Sequence, residues 1–253
     1  MLFHTRGKPI DQHIDITYDD NEPNCDEPQR IHPVERFHSK HPNPACRAYK
    51  ILGIYIDDQL TFNSHTQHII SKLNCSLYCI NRVKHFLPPA ALRSLYFALM
   101  HSHISYCPII TSCASNTNIQ KITRIQKKAV RIISNKQYRE HTAPIFRSLK
   151  ILTYQQLSVY SKLNFMHSVI YNYCPPSFID IWKSNNERNE IPNLRNADQL
   201  AIPHPRIELF KKSPLYSLPK LWNSLDDTKF QNNKTTFRIS IKDKLFEDPN
   251  FLQ

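Results

Sequence analysis

Glycine is almost missing from this chain: Gly7 and Gly53 are the two in 253 residues. Phosphate-cradling loops for mononucleotides or dinucleotides need several closely spaced glycines, so neither loop type can be written here. No run of about 18 apolar residues exists, which excludes a membrane-spanning helix. The stretch from Met1 to His13 lacks the apolar core of a signal peptide. No Gly-x-Ser-x-Gly elbow is available to activate a serine nucleophile. The seven cysteines include no Cys-x-x-Cys knuckle: Cys75 and Cys79 are four apart and Cys107 and Cys113 six apart. Structural zinc sites favour that knuckle, so no metal ligand set is assigned. An odd cysteine number in a chain this large implies a reducing, intracellular setting, with nucleus and cytoplasm left open.

Acidic residues are also absent where it matters. Residues 59–140 hold eleven Lys/Arg against the single acid Glu140, a net of +10, whereas residues 1–58 sum to −3 and residues 141–253 to +5. A solvated surface ordinarily mixes signs, so a stretch this one-sided points to a polyanionic partner. Hydrophobic residues make up 40% of the chain, enough to build a core.

Three zones follow from the patterning. Residues 1–58 suggest short strands at Met1–Phe3, His13–Tyr18 and Tyr49–Ile56, with a proline-rich surface loop from Asn21 to Pro44. Residues 59–140 suggest three helices. The first starts near Asn63 or Ser64 and carries Ile69, Leu73, Leu77 and Ile80 to about Phe86. Pro88-Pro89 ends it and opens the second, with Leu92, Leu95, Tyr96, Leu99 and Met100 on one face. The third runs from Thr117 or Asn118 to about Ser134. In residues 141–253, Thr142 before Pro144 suggests a short helix, and Thr153 with Gln156 forms a capping-box start for a longer one to about Tyr171. Leu218–Leu225 is a compact aromatic-apolar anchor, and a last helix aligns Phe237, Ile241 and Leu245. The expected class is mainly α with a small N-terminal antiparallel β portion.

The third helix is the clearest object. At about 100° per residue, Ile119, Ile122, Ile125, Gln126, Ala129, Ile132 and Ile133 share an arc of roughly 140°. Lys121, Arg124, Lys127, Lys128 and Arg131 occupy about 120° opposite, spread over about 15 Å of axis. Such a row suits backbone phosphates, which Lys and Arg neutralise without reading base sequence. His65, His68, His101 and His103 fall near helix ends, either to touch phosphate or as polar surface.

Tyr55-Ile56-Asp57-Asp58, and more weakly Tyr18-Asp19-Asp20, imitate a polymerase metal-binding signature. Two-metal nucleotidyl transfer needs carboxylates from two strands brought close together. Only 56 residues precede Asp57, and they include the proline-rich loop. No catalytic residue is therefore assigned.

Leu52-Gly53-Ile54-Tyr55-Ile56-Asp57, followed by Leu60, Phe62, His65 and Lys72, resembles the segment just after the active site in reverse transcriptases of non-LTR (LINE-type, jockey-like) retrotransposons. The likeness continues in order through Leu87-Pro88, Leu95-Tyr96 with Ala98-Leu99, and His103-Ile104-Ser105-Tyr106. It goes on through Gln126 to Ile133, His141 to Phe146, and Leu149 to Leu152. Later come Phe165-Met166, Pro175 to Phe178, Arg195 and Leu221-Trp222-Asn223. The Asn21–Pro44 segment is longer than usual, and Asp226-Asp227 stands where a proline more often follows Trp-Asn.

The resemblance implies a remnant of palm with primer-grip-like strands at 1–58, a thumb-like helical bundle at 59–140 and a retrotransposon C-terminal helical region at 141–253. Leu52, Gly53 and Ile54 would form the primer-grip-like turn, and Asp57 would be a strand-end residue. It implies a truncated RNA-directed DNA polymerase that keeps template–primer binding, lacks the catalytic aspartates and is inactive alone. No cofactor belongs to this chain on that view, since magnesium would sit in the missing palm. Partners would be RNA, DNA or an RNA–DNA hybrid held through the phosphate backbone, with the missing polymerase portion as a further one and no membrane. The alternative is an independent basic helical module derived from a mobile element, binding nucleic acid or protein without a polymerase role.

Overall fold

Leu52 and Gly53 both have positive φ, 47° and 83°. That sign pattern belongs to the two-residue turns whose twist matches a β-hairpin. In the computed structural model of the protein, this turn joins β1 (Ala48–Ile51) to β2 (Ile54–Asp57). The pairing is antiparallel, with Tyr49 opposite Ile56 and Ile51 opposite Ile54. The one strand expected over Tyr49–Ile56 is therefore two. Gly53 adopts the left-handed region without steric cost, and Leu52 is carried into it beside Gly53.

The structure describes residues 48–57, 60–189, 199–225 and 233–248. The strands expected at Met1–Phe3 and His13–Tyr18, the segment Asn21–Pro44, Asp19-Asp20, Asp58, Arg195 and Asp226-Asp227 lie outside those residues. The described chain divides into two units, one ending at His65 and the other starting at Thr66.

Helices make up most of the rest, so the class is mainly α with a small two-stranded antiparallel sheet. In order they are α1 (Asn63–Val83), α2 (Pro89–Leu95), α3 (Ser102–Ile104), α4 (Pro108–Thr111) and α5 (Asn116–Ile133). Then follow α6 (Ala143–Ser148), α7 (Tyr154–Ile170), α8 (Asn185–Asn189), α9 (Glu208–Lys212), α10 (Pro214–Asn223) and α11 (Lys234–Glu247). A 3₁₀ turn spans Pro176–Ile181.

Between α2 and α3 the helix widens into a π turn, Tyr96–His101. The wider turn keeps Leu92, Tyr96, Met100 and Ile104 in the core at four-residue steps while Leu99 rotates to the surface. Ser76 on α1 donates its hydroxyl to the Leu99 carbonyl at 3.0 Å, so the irregular turn is tied to its neighbour.

One apolar cluster runs from Ile69 on α1 to Leu245 on α11, crossing the division expected at residue 140 without a break. Its centre is α7, which packs against α4, α5, α10 and α11. The capping box at its start is formed: the Thr153 hydroxyl accepts from the Gln156 N–H at 3.3 Å, and the Gln156 side chain accepts from the Thr153 N–H at 2.9 Å. Buried residues then occupy all sides of α7, among them Tyr154, Leu157, Leu163, Met166 and Val169. A helix with buried residues on every side belongs inside rather than on a face.

At the far end, Phe237, Ile241 and Leu245 of α11 are fully buried, as their spacing predicts. Trp222 on α10 lies buried with ring centroids 5.9 Å from Phe237. Asn223 accepts from the Leu200 N–H at 3.0 Å and donates to the Leu200 carbonyl at 2.9 Å, doing for that segment what a neighbouring strand would.

Candidate nucleic-acid interface

The basic row stands on α5, and the reasons for its orientation are local. Ser115 caps the helix, its hydroxyl accepting from the Asn118 N–H at 3.4 Å. Ile122, Ile125, Ala129, Val130 and Ile133 are buried, with Ile119 and Ile132 half-buried at the edges of the stripe. Gln126, read in sequence as part of that stripe, is buried for a polar reason. Its Nε2 donates to the Tyr96 hydroxyl and to the Leu152 carbonyl, each at 2.8 Å, and its Oε1 accepts from the Tyr154 N–H at 2.9 Å. Three bonds lock the roll angle of α5 against the π turn and the start of α7. A rotation of one residue position would break all three, so the opposite face is held outward.

That opposite face carries Lys121, Arg124, Lys127 and Lys128, all exposed. Among the described residues no carboxylate lies within ion-pair range of these four. Arg131 differs from the outward position expected for it. It is half-buried, its Nε donates to the Glu140 carbonyl at 3.0 Å, and its guanidinium carbon sits 5.8 Å from the Tyr138 ring centre. The cause is the chain's return after the helix: residues 135–140 fold back over its last turn and engage Arg131. Four cations therefore form the open row, and Arg131 closes its end.

Glu140, the lone acid of residues 59–140, is spoken for. Lys136 pairs with it at 2.9 Å, and that hydrogen bond holds the carboxyl below its ordinary range. Beside the row, between α1 and the end of α5, lies an open cleft of about 450 Å³. Tyr78 and Tyr138 line it together with Lys128, Arg131 and Lys136. The sequence reading did not single out the two tyrosines. A signal was present for one: at about 100° per residue, Tyr78 lies roughly 160° around α1 from Ile80, an aromatic on the solvent side.

The histidines divide. His65 is buried, 6.5 Å from the Tyr55 ring, so it does not reach a phosphate as one reading allowed; it belongs to the inward face at the start of α1. His101 is half-buried, and burial, with the nearby Lys242 charge, lowers its pKa from the ordinary value. His68 is half-buried and His103 exposed.

Of the three residues expected to form a primer-grip-like turn, Leu52 and Gly53 make the hairpin turn and Ile54 opens β2. Leu52 is 86% exposed, Gly53 is exposed and Ile54 is buried, so the three do not share one surface. Asp57 ends β2, and its carboxylate accepts from the Thr61 N–H at 2.6 Å, the Thr61 hydroxyl, the Phe62 N–H at 3.2 Å and the Asn63 N–H at 3.4 Å. Those bonds satisfy N–H groups at the entry to α1, the structural duty of a strand-end aspartate. Among the described residues no group of three or more His, Cys, Asp or Glu is gathered to hold a metal ion. No helix of the described residues is long and apolar enough to cross a membrane. Comparison of the chain with protein-family models, with curated proteins and with solved structures gives no match.

Proposed function

We propose that this chain holds the sugar–phosphate backbone of a template–primer duplex, in the manner of the thumb and downstream region of a non-LTR retrotransposon reverse transcriptase, and performs no nucleotide transfer itself. The observation that carries this is the acid-free row Lys121, Arg124, Lys127 and Lys128, held outward by the buried Gln126. Along the axis the four span about 10 Å at 1.5 Å per residue. An A-like RNA–DNA hybrid is recognised chiefly through phosphates and sugars, so a row of cations held outward on one helix suits it. The ordered likeness of sequence segments to that family supports the same reading.

The test is a binding titration of fluorescent RNA–DNA hybrid against the full chain at several salt concentrations. Log affinity falls linearly with log salt if phosphate contacts dominate. A weak, salt-insensitive interaction refutes the reading. Primer extension with magnesium and nucleotides is expected to be negative, and incorporation would overturn the assignment of Asp57 to a structural duty.

A second reading draws on the continuous core from Ile69 to Leu245. A core that closes within one unit favours a self-standing basic module with no polymerase role. The two readings part on preference: the thumb-like one expects tighter binding to hybrid than to DNA duplex of equal length, and the module expects no difference.

A further inference from the structure

The cleft between α1 and the end of α5 joins exposed aromatic rings to a cluster of cations. Its inner side is apolar, formed by Leu77 and Ile132, both half-buried against the core. Its rim carries Tyr78 and Tyr138, residues 63% and 74% exposed. Cations accompany each ring: the Arg82 guanidinium carbon lies 5.8 Å from the centre of Tyr78, and that of Arg131 5.8 Å from the centre of Tyr138. Lys128 and Lys136 stand at the same opening, and so do the amides of Asn74 and Asn81.

Each part narrows the occupant. Flat aromatic faces beside guanidinium groups suit a flat π-system, and amides suit the donor–acceptor edge of a base. Lys128 suits an attached phosphate. An acidic peptide would use the cations but leave the rings without a purpose. A neutral apolar peptide would bury charge without compensation. The volume of about 450 Å³ lies within the range of small-molecule sites. Continuity matters most, because Lys128 belongs both to the cleft and to the exposed row on α5.

We propose that this cleft receives an unpaired nucleobase of a single-stranded extension leaving the duplex, stacked on Tyr78 or Tyr138 with its phosphate on Lys128, Lys136 being paired with Glu140. The proposal rests on the duplex-holding reading above and adds a single-strand site at one end of the row. It makes the end of α5 the point where paired nucleic acid gives way to unpaired. Stacking on aromatics tolerates any base, so no sequence preference is expected.

The experiment compares three hybrids with equal paired segments: blunt, carrying four-adenosine RNA extensions at both ends, and carrying four-residue abasic extensions. Abasic residues keep the phosphates and remove the bases. The adenosine extensions bind about 5- to 150-fold tighter than the abasic ones if one base stacks. The double variant Tyr78→Ala, Tyr138→Ala erases that difference while leaving affinity for the blunt hybrid unchanged. Tyr78→Phe with Tyr138→Phe keeps the rings and retains it. Equal affinity for adenosine and abasic extensions overturns the cleft proposal, and binding of the blunt hybrid then shows the duplex reading to survive alone. Failure to bind any of the three removes both.

Discussion

Replacing Lys121, Arg124, Lys127 and Lys128 together by glutamine removes four charges and little else. All four side chains are exposed, and Gln matches Lys and Arg closely in helix propensity, so α5 is expected to form as before. Each neutralised phosphate contributes about 0.9 to the slope of log affinity against log salt, so four contribute about 3.6. Between 50 and 200 mM salt, that slope corresponds to roughly a 150-fold change in affinity that the variant no longer shows. Anisotropy titration of RNA–DNA hybrid at several salt concentrations measures it directly. Thermal unfolding by circular dichroism checks that the fold is retained, with a midpoint within a few degrees of the parent. A variant that folds normally and keeps the parent slope refutes the phosphate-row argument. Arg131 is left out deliberately, because its bond to the Glu140 carbonyl would mix a folding effect with a binding one.

Three further outcomes follow from the packing. Gln126→Leu strands the Tyr96 hydroxyl, the Leu152 carbonyl and the Tyr154 N–H in the core, and urea unfolding is expected to show a loss of about 3 kcal/mol or more. Parent-like stability would deny that the amide locks α5. Thr153→Ala removes half of the capping box and costs about 1 kcal/mol by the same assay, and no change would mean that α7 is held by packing alone. Burial pushes the Tyr154 hydroxyl up to about 12, the Thr111 bond pulling it back in part. The unfolded chain releases that proton near pH 10, so it binds fewer protons than the folded one between pH 10 and 12, and stability falls as pH rises through that window. Tyr154 alone accounts for roughly 2–3 kcal/mol of the fall. Tyr154→Phe is expected to flatten the alkaline limb without abolishing it, since burial shifts Tyr96 in the same direction. A limb of unchanged steepness counts against the assignment.

How far the chain could be read in advance depended on where the information lay. The row on α5 was legible because an amphipathic helix writes its two faces in a 3.6-residue period, and Phe237, Ile241 and Leu245 were legible for the same reason. The capping box at Thr153 and Gln156 is a local bond pattern and was equally readable. The central place of α7 was not, because its buried residues lie on every side and leave no stripe to detect. The π turn at Tyr96–His101 carries no glycine or proline to announce it; its support comes from Ser76, about twenty residues away in sequence. The hairpin turn was hidden by Leu52, an apolar residue in a left-handed conformation where glycine or asparagine is usual. The partial burial of Arg131 was not legible because periodicity describes a helix in isolation, and the returning segment through Tyr138 and Glu140 is a tertiary matter.

The central position of α7 has a practical bearing on any genetic dissection of this molecule. Helices from before and after it in the chain lean on the same pillar, so an injury near the carboxyl end is expected to reach the seat of the basic ridge. If the ridge holds a duplex as proposed, a lesion at Trp222, remote in sequence from every charged group on it, would surface in a screen as loss of grip. Only a parallel measure of folding would tell such a toppled support from a residue that touches the polymer.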